Sequence, residues 1–237
     1  MNRRGFLTTG LALALAGCAG DGGAGEDGTT TTAPPATSTP TPDAETLDTH
    51  PAAADLAAQP TLGPDPREAT GVIVAFEDPS CPTCRRFEEN VVPQLREELI
   101  DPGTVSFVFR GYPVIYPWGE PATKALEAAY DHDAAAHWTL LAHYFANQGS
   151  YRGSEPATVY DETESFLAAE TDLDATAVVD AARNGEYDAA VQTDLDAGEA
   201  AGAGGRTPHL FFFRDGVYRT KSGGFTGITT IKNVLEV

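Results

Sequence analysis

Cys81 and Cys84 are separated only by Pro82 and Thr83, and this run follows an apolar stretch, residues 71–76, and precedes a helical pattern. Two thiols at that spacing, at the first turn of a helix, suit reversible thiol–disulfide chemistry. The first lies where unpaired backbone N–H groups and the positive end of the helix dipole favour a thiolate. Such positions lower a cysteine pKa to roughly 3.5–7.5 from about 8.5. The second, one turn on, can close a disulfide with the first or resolve a mixed disulfide. Pro82 suits the first helical turn, where its missing N–H has no partner to lose. Half of a zinc site and a purely structural bridge are the alternatives. Zinc takes four ligands, and the sequence has neither a second cysteine pair nor a histidine pair at ligand spacing, so no metal is expected.

The elements that must position this pair are visible around it. Residues 71–76 read as a buried strand. Phe87, Val91, Val92, Leu95 and Leu99 recur at helical spacing over residues 87–100, with a kink expected at Pro93. Residues 104–110 are strongly β-forming. This β-α-β unit sets the cysteines at a strand's C-terminal end, where open α/β sheets place their ligands. Residues 120–199 then read as several helices: one over 122–147, two beginning near 163 and 174, and one over 186–201. The pattern returns to β at 209–214, turns at Asp215 and Gly216, pairs again over 217–221, and ends in a helix over 228–237.

This order resembles an α/β thioredoxin-like fold with an inserted helical subdomain at about 120–201, as in thiol–disulfide oxidoreductases of the DsbA type. The likeness rests on Pro60-Thr61-Leu62-Gly63, on Phe76-Glu77-Asp78-Pro79-Ser80 leading into the cysteines, and on Tyr116-Pro117-Trp118-Gly119. It continues in Gly205-Arg206-Thr207-Pro208-His209 and Gly224-Phe225-Thr226-Gly227. The resemblance implies that Pro208 is cis and faces the cysteines. It also implies that the Thr207 backbone turns toward the sulfurs, where an extended substrate segment pairs as an added strand. Implied substrates are thiols or disulfides of exported proteins, with no cofactor and with a recycling partner the sequence leaves unidentified. A non-catalytic binding module of the same fold and a copper-delivery protein are the alternatives.

Two departures stand out. Many relatives hold a buried acid six residues before the first cysteine as a proton relay, and that position here is Ala75. Glu77 and Asp78 are nearer, but both are expected to be solvated at the strand end, with a bulge required to bring Glu77 where Ala75 points. Strongly oxidising relatives carry Pro-His between the cysteines, whereas Pro82-Thr83 implies a less stabilised thiolate. His209 reads as a plain strand residue. His132, His137 and His143 read as surface or core residues, and Trp138, Tyr144 and Phe145 as core.

Cys18 belongs to a different feature. Arg3 and Arg4 precede a short apolar run ending in Leu15-Ala16-Gly17-Cys18. Residues 1–17 are expected to be a Tat-type lipoprotein signal peptide, with Cys18 lipidated and anchoring the chain outside the cytosol. Residues 18–55, rich in Thr, Pro, Gly and acids, are expected to form a disordered stalk before a domain over 56–237. No Asn-x-Ser/Thr sequon is present. Acids outnumber bases 35 to 15, and losing residues 1–17 removes two arginines and no acid, moving the net charge from −20 to −22. The lysines are Lys124, Lys221 and Lys232 alone. Scattered acids with so few lysines resemble exported proteins of halophilic archaea, since high salt screens the self-repulsion. Without a basic stripe, no nucleic-acid partner is expected.

Overall fold

A computed structural model describes residues 44–237. Cys18, the signal segment and most of the expected stalk lie outside those residues.

The Val-Ile-Val-Ala-Phe run of β2 (Gly71–Glu77) is buried throughout, as a strand covered on both faces must be. It pairs in parallel with β3 (Val105–Gly111) and antiparallel with β4 (His209–Arg214). β1 (Thr61–Leu62) flanks β3, and β5 (Val217–Gly223) flanks β4, giving the order β1-β3-β2-β4-β5. Strand alternation divides the core. Ile73, Ala75, Leu210 and Phe212 pack against α1 (Pro82–Asn90), α2 (Val92–Leu95) and, through Ile231 and Leu235, a C-terminal helix. Val72, Val74, Phe76, Phe211 and Phe213 face the N-terminal segment. A helical insertion joins β3 to β4: α3 (Gly119–His132), α4 (Ala134–Ala146), α5 (Gln148–Tyr151), α6 (Pro156–Glu170), α7 (Ala175–Arg183) and α8 (Asp188–Ala200). The C-terminal helix, α9, is Ile228–Leu235.

Two expectations are corrected. Residues 44–55 are part of the domain rather than stalk. Tyr218 N–H donates to Glu45 at 2.8 Å, Leu47 N–H to Gly216 at 2.9 Å, and the buried His50 ring packs on Phe211, Phe213 and Tyr218. The apolar content of this segment is small, and its role shows only once the sheet face it covers exists. The single helix expected over 122–147 breaks at Asp133, whose extended backbone and carboxylate, accepting from Ala135 N–H at 2.9 Å, cap α4. The kink expected at Pro93 is present: α1 ends at Asn90, and α2 runs on into a wider turn over Arg96–Ile100. Pro93 has no N–H to offer the preceding turn.

Candidate active site

Cys81 is the N-cap of α1, with extended backbone, and its sulfur accepts from Cys84 N–H at 3.4 Å. The loop feeding it is held by buried Asp78. One Asp78 oxygen accepts from Ser80 N–H at 2.7 Å and Ser80 Oγ–H at 2.6 Å, and the other from Val114 and Ile115 N–H at 2.9 and 2.7 Å. One carboxylate thus joins the loop after β2 to the loop after β3. A Cβ on Gly119 would stand 2.5 Å from Asp78 Oδ1, so that approach requires glycine. From the insertion, Gln148 Nε2 donates to the carbonyls of Pro79 and Cys81 at 2.8 and 2.9 Å.

Both cysteines are free thiols with opposite environments. Cys81 opens onto a groove that Ile115, Thr207 and Gly224 also line. Its pKa is pulled down to about 6, first by the Cys84 side chain and then, against desolvation, by Thr207 and the N–H groups of Cys84 and Thr83. That thiolate is well stabilised without a histidine between the cysteines. Cys84 is fully buried, and burial, the Cys81 sulfur and the charge of Glu77 push it well above its ordinary value. The Thr207–Pro208 peptide is cis, and the Cys81 thiol donates to the Thr207 carbonyl at 3.3 Å.

Glu77 overturns an expectation. Residues two apart share a strand face, so Glu77 lies on the same side of β2 as Ala75 with no bulge, against the expectation of a solvated acid; Asp78 is likewise buried. Both Glu77 oxygens are buried without a conventional donor. The polar groups acting on it are the Glu88 carboxyl, Cys81 and Cys84. Glu88 follows Cys84 by one turn of α1, on the same helix face. Burial, then the charge of Glu88, pushes Glu77 well above the usual carboxylate range, while burial pushes Glu88 up to about 7. Like carboxyls acting on one another do not readily both ionise, so the pair favours holding a proton behind Cys84.

A thioredoxin family model matches residues 60–217. The chain belongs to the thioredoxin family. Among curated relatives, the probable disulfide bond formation protein D of Bacillus cereus is 36% identical over 90 residues, 38% of this chain and 41% of that protein. Disulfide bond formation protein D of Bacillus subtilis is 30% identical over 90 residues, 38% and 40% of the two chains. The chain therefore spans about two-fifths of the length of these relatives. Among solved structures, oxidised BdbD from Bacillus subtilis matches with a TM-score of 0.63 at 22% identity, covering 76% of this chain and 92% of that one. For α-DsbA1 from Wolbachia pipientis the TM-score is 0.62 at 20% identity, covering 75% and 89%. At these identities the likeness is one of fold: thioredoxin-like, with helices inserted between β3 and β4.

The remaining candidates make no hydrogen bond to either thiol of this thioredoxin-family site. His209 stacks on Phe211, on the sheet face opposite α1. His137 is buried among Phe109, Tyr130 and Trp138, and burial lowers its pKa to about 4. His143 stacks on Phe166, and His132 is exposed. Tyr144 and Phe145 are core, and Trp138 packs on Phe107 and Phe109. Sequence reading missed Gln148 as a brace of the cysteine loop and Glu88 as a partner of Glu77. The i, i+4 spacing of Cys84 and Glu88 was the available signal.

Proposed function

We propose that this domain exchanges thiols and disulfides with exported proteins, Cys81 being the nucleophile and Cys84 the resolving thiol. One observation carries the reading: a lowered Cys81 thiol lines a groove against the cis Thr207–Pro208 edge, while the raised Cys84 thiol is buried behind it. In the oxidising direction a client thiolate attacks Cys81 of the Cys81–Cys84 disulfide, and Cys84 leaves as a thiolate and takes a proton from the Glu77–Glu88 pair. A second client thiolate attacks the client sulfur of the mixed disulfide, so the client gains a disulfide and the domain two electrons. Cys81 leaves readily because its thiolate is stable at neutral pH. Reduction of a client disulfide runs the same steps backwards. Turnover with a reduced unfolded client, or of insulin disulfides, in molar salt tests the proposal; inactivity in both favours a binding module.

In this mechanism Glu77 passes a proton to and from Cys84. Glu77→Gln should slow resolution of the mixed disulfide by Cys84 about tenfold or more at pH 7. Its rate should then follow the high Cys84 titration rather than that of the carboxyl pair. The sign for stability is opposite. A carboxyl raised in the folded state costs stability as pH climbs from its unfolded to its folded value, so Glu77→Gln should resist denaturant better than wild type at pH 8 and not at pH 4. Unchanged resolution kinetics would remove Glu77 from the mechanism.

The domain is further proposed to work outside the cytosol on a lipid anchor at Cys18, following cleavage after Gly17. Support comes from the twin arginines and the Leu15-Ala16-Gly17-Cys18 run. No helix among the described residues is long and apolar enough to cross a membrane. Cys18→Ser should release the protein from membranes with exchange activity intact, and an unmodified Cys18 in exported protein would end this assignment.

A further inference from the structure

The charge pattern reverses around Cys81. Many cations of this acidic chain are committed: Arg67, Arg110, Lys124, Arg183, Arg214, Arg219 and Lys232 each lie within 3.2 Å of a carboxylate. Among the described residues, Arg86, Arg96, Arg152, Arg206 and Lys221 have no such partner, Lys221 donating instead to the Ala201 and Gly202 carbonyls, and the nearest carboxylate to Arg85 is Glu89 at 3.8 Å. Arg85, Arg152 and Arg206 line pockets beside Cys81, and Arg86 follows Cys84 by two residues on α1. Arg206 lines the Cys81 groove, of about 310 Å³. Arg85 and Arg152 line a second pocket of about 200 Å³ on the other side of Pro82, with Ser80, Tyr116 and Trp118. Arg85 Nε is buried without a hydrogen-bond partner, Glu89 Oε1 standing 3.8 Å from it. Among the described residues, the large apolar side chains most exposed include Ile115 and Tyr116, which line these pockets, with Val114 beside them and Phe225, whose ring centroid lies 5.1 Å from the Arg86 guanidinium.

We infer that the pocket lined by Arg85 and Arg152 is a subsite for a carboxylate side chain of the client, carried a few residues from the client cysteine. The inference rests on the exchange function proposed above. Guanidinium forks match carboxylates, and the indole and phenol of Trp118 and Tyr116 hold the pocket's shape against the stem of an acidic side chain. Elsewhere the surface repels an acidic client, so a local cationic collar both admits it and aims it at Cys81. The occupant is a peptide segment rather than a small thiol. Consecutive residues Ile115 and Tyr116 line the two pockets, so a ligand filling both must run past Cys81, where the Thr207 backbone offers a strand edge.

The test uses oxidised domain and three peptides alike except for Glu, Gln or Lys two residues from a single cysteine, plus mercaptoacetate as a small carboxylate thiol. Rates of mixed-disulfide formation are expressed per thiolate, at the lowest salt that keeps the domain folded and again in molar salt. The expected order is Glu, Gln, Lys, with about a tenfold span that narrows as salt rises. Arg152→Gln should cut the span to about threefold, and Arg152→Glu should invert it. Equal rates for the three peptides overturn the subsite while leaving exchange standing. No exchange with any peptide overturns the function beneath it. A span in wild type that Arg152→Glu leaves untouched, or a preference confined to mercaptoacetate, overturns the assignment to a client segment.

Discussion

Cys84→Ala will hold client proteins on Cys81 as mixed disulfides, whereas Cys81→Ala will hold none. Cys81 opens onto the groove and Cys84 is fully buried, so a client sulfur reaches only the first. Without the second thiol the mixed disulfide has no internal exit, and turnover should fall by about 10³-fold or more. The variant also carries a second signature. The Cys84 side chain is the largest cause of the low Cys81 pKa, and losing a donor to a thiolate raises its pKa. Alkylation of Cys81 should therefore rise with pH through a midpoint near 6 in the wild-type dithiol and through a higher one in Cys84→Ala. Trapping through Cys84, recovered as the adduct in Cys81→Ala, would reverse the assignment.

What the sequence discloses about this site follows from how local each signal is. The strand, the turn and the capped helix that carry Cys81 and Cys84 are contiguous, so apolar run, spacing and Pro82 suffice to read them. The Thr207–Pro208 edge is legible only through family likeness, because its approach to Cys81 spans 126 residues. Glu77 was legible in principle. Parity along β2 puts it with Ala75, and the i, i+4 spacing puts Glu88 with Cys84, but polar type argued for solvent and concealed both. Residues 44–55 show the converse: a composition too polar to predict packing, ordered by backbone pairing to β5 and by a sheet face built from distant residues. Gln148 and Asp133 act through a pair of hydrogen bonds and a helix cap that periodicity does not register.

Asp194→Ala should be the most destabilising substitution outside the core, costing about 3–5 kcal/mol. Arg110 ends β3 wholly buried, and Asp194 on α8 meets it at 2.7 and 2.9 Å. The same carboxylate accepts from Gly111 N–H at 2.9 Å and Gln59 Nε2 at 3.1 Å, while Arg110 Nη1 donates to the carbonyls of Ala52 and Ala54. One ion pair therefore ties the last insertion helix, the sheet and the N-terminal segment together. Deleting the acid leaves a buried guanidinium charge without its ion-pair partner, which is what makes the cost large. For a domain of this size the melting temperature should drop by roughly 6–20 °C, at about 2–4 °C per kcal/mol. Molar salt should restore little, because a buried pair is barely screened. Glu127 sets where in the range the loss falls. Burial, then the charge of Asp194, pushes its carboxyl up to about 8, so it is mostly protonated at pH 7. With Asp194 gone, Glu127 is freer to ionise toward Arg110, which pulls its pKa down. Asp194→Ala should therefore cost more in a Glu127→Gln background than in wild type, by about 1 kcal/mol, a coupling expected only between groups sharing a partner. Additive losses would remove Glu127 from the charge balance of Arg110, and a stability unmoved by Asp194→Ala would mean that Arg110 is satisfied by the Ala52 and Ala54 carbonyls alone.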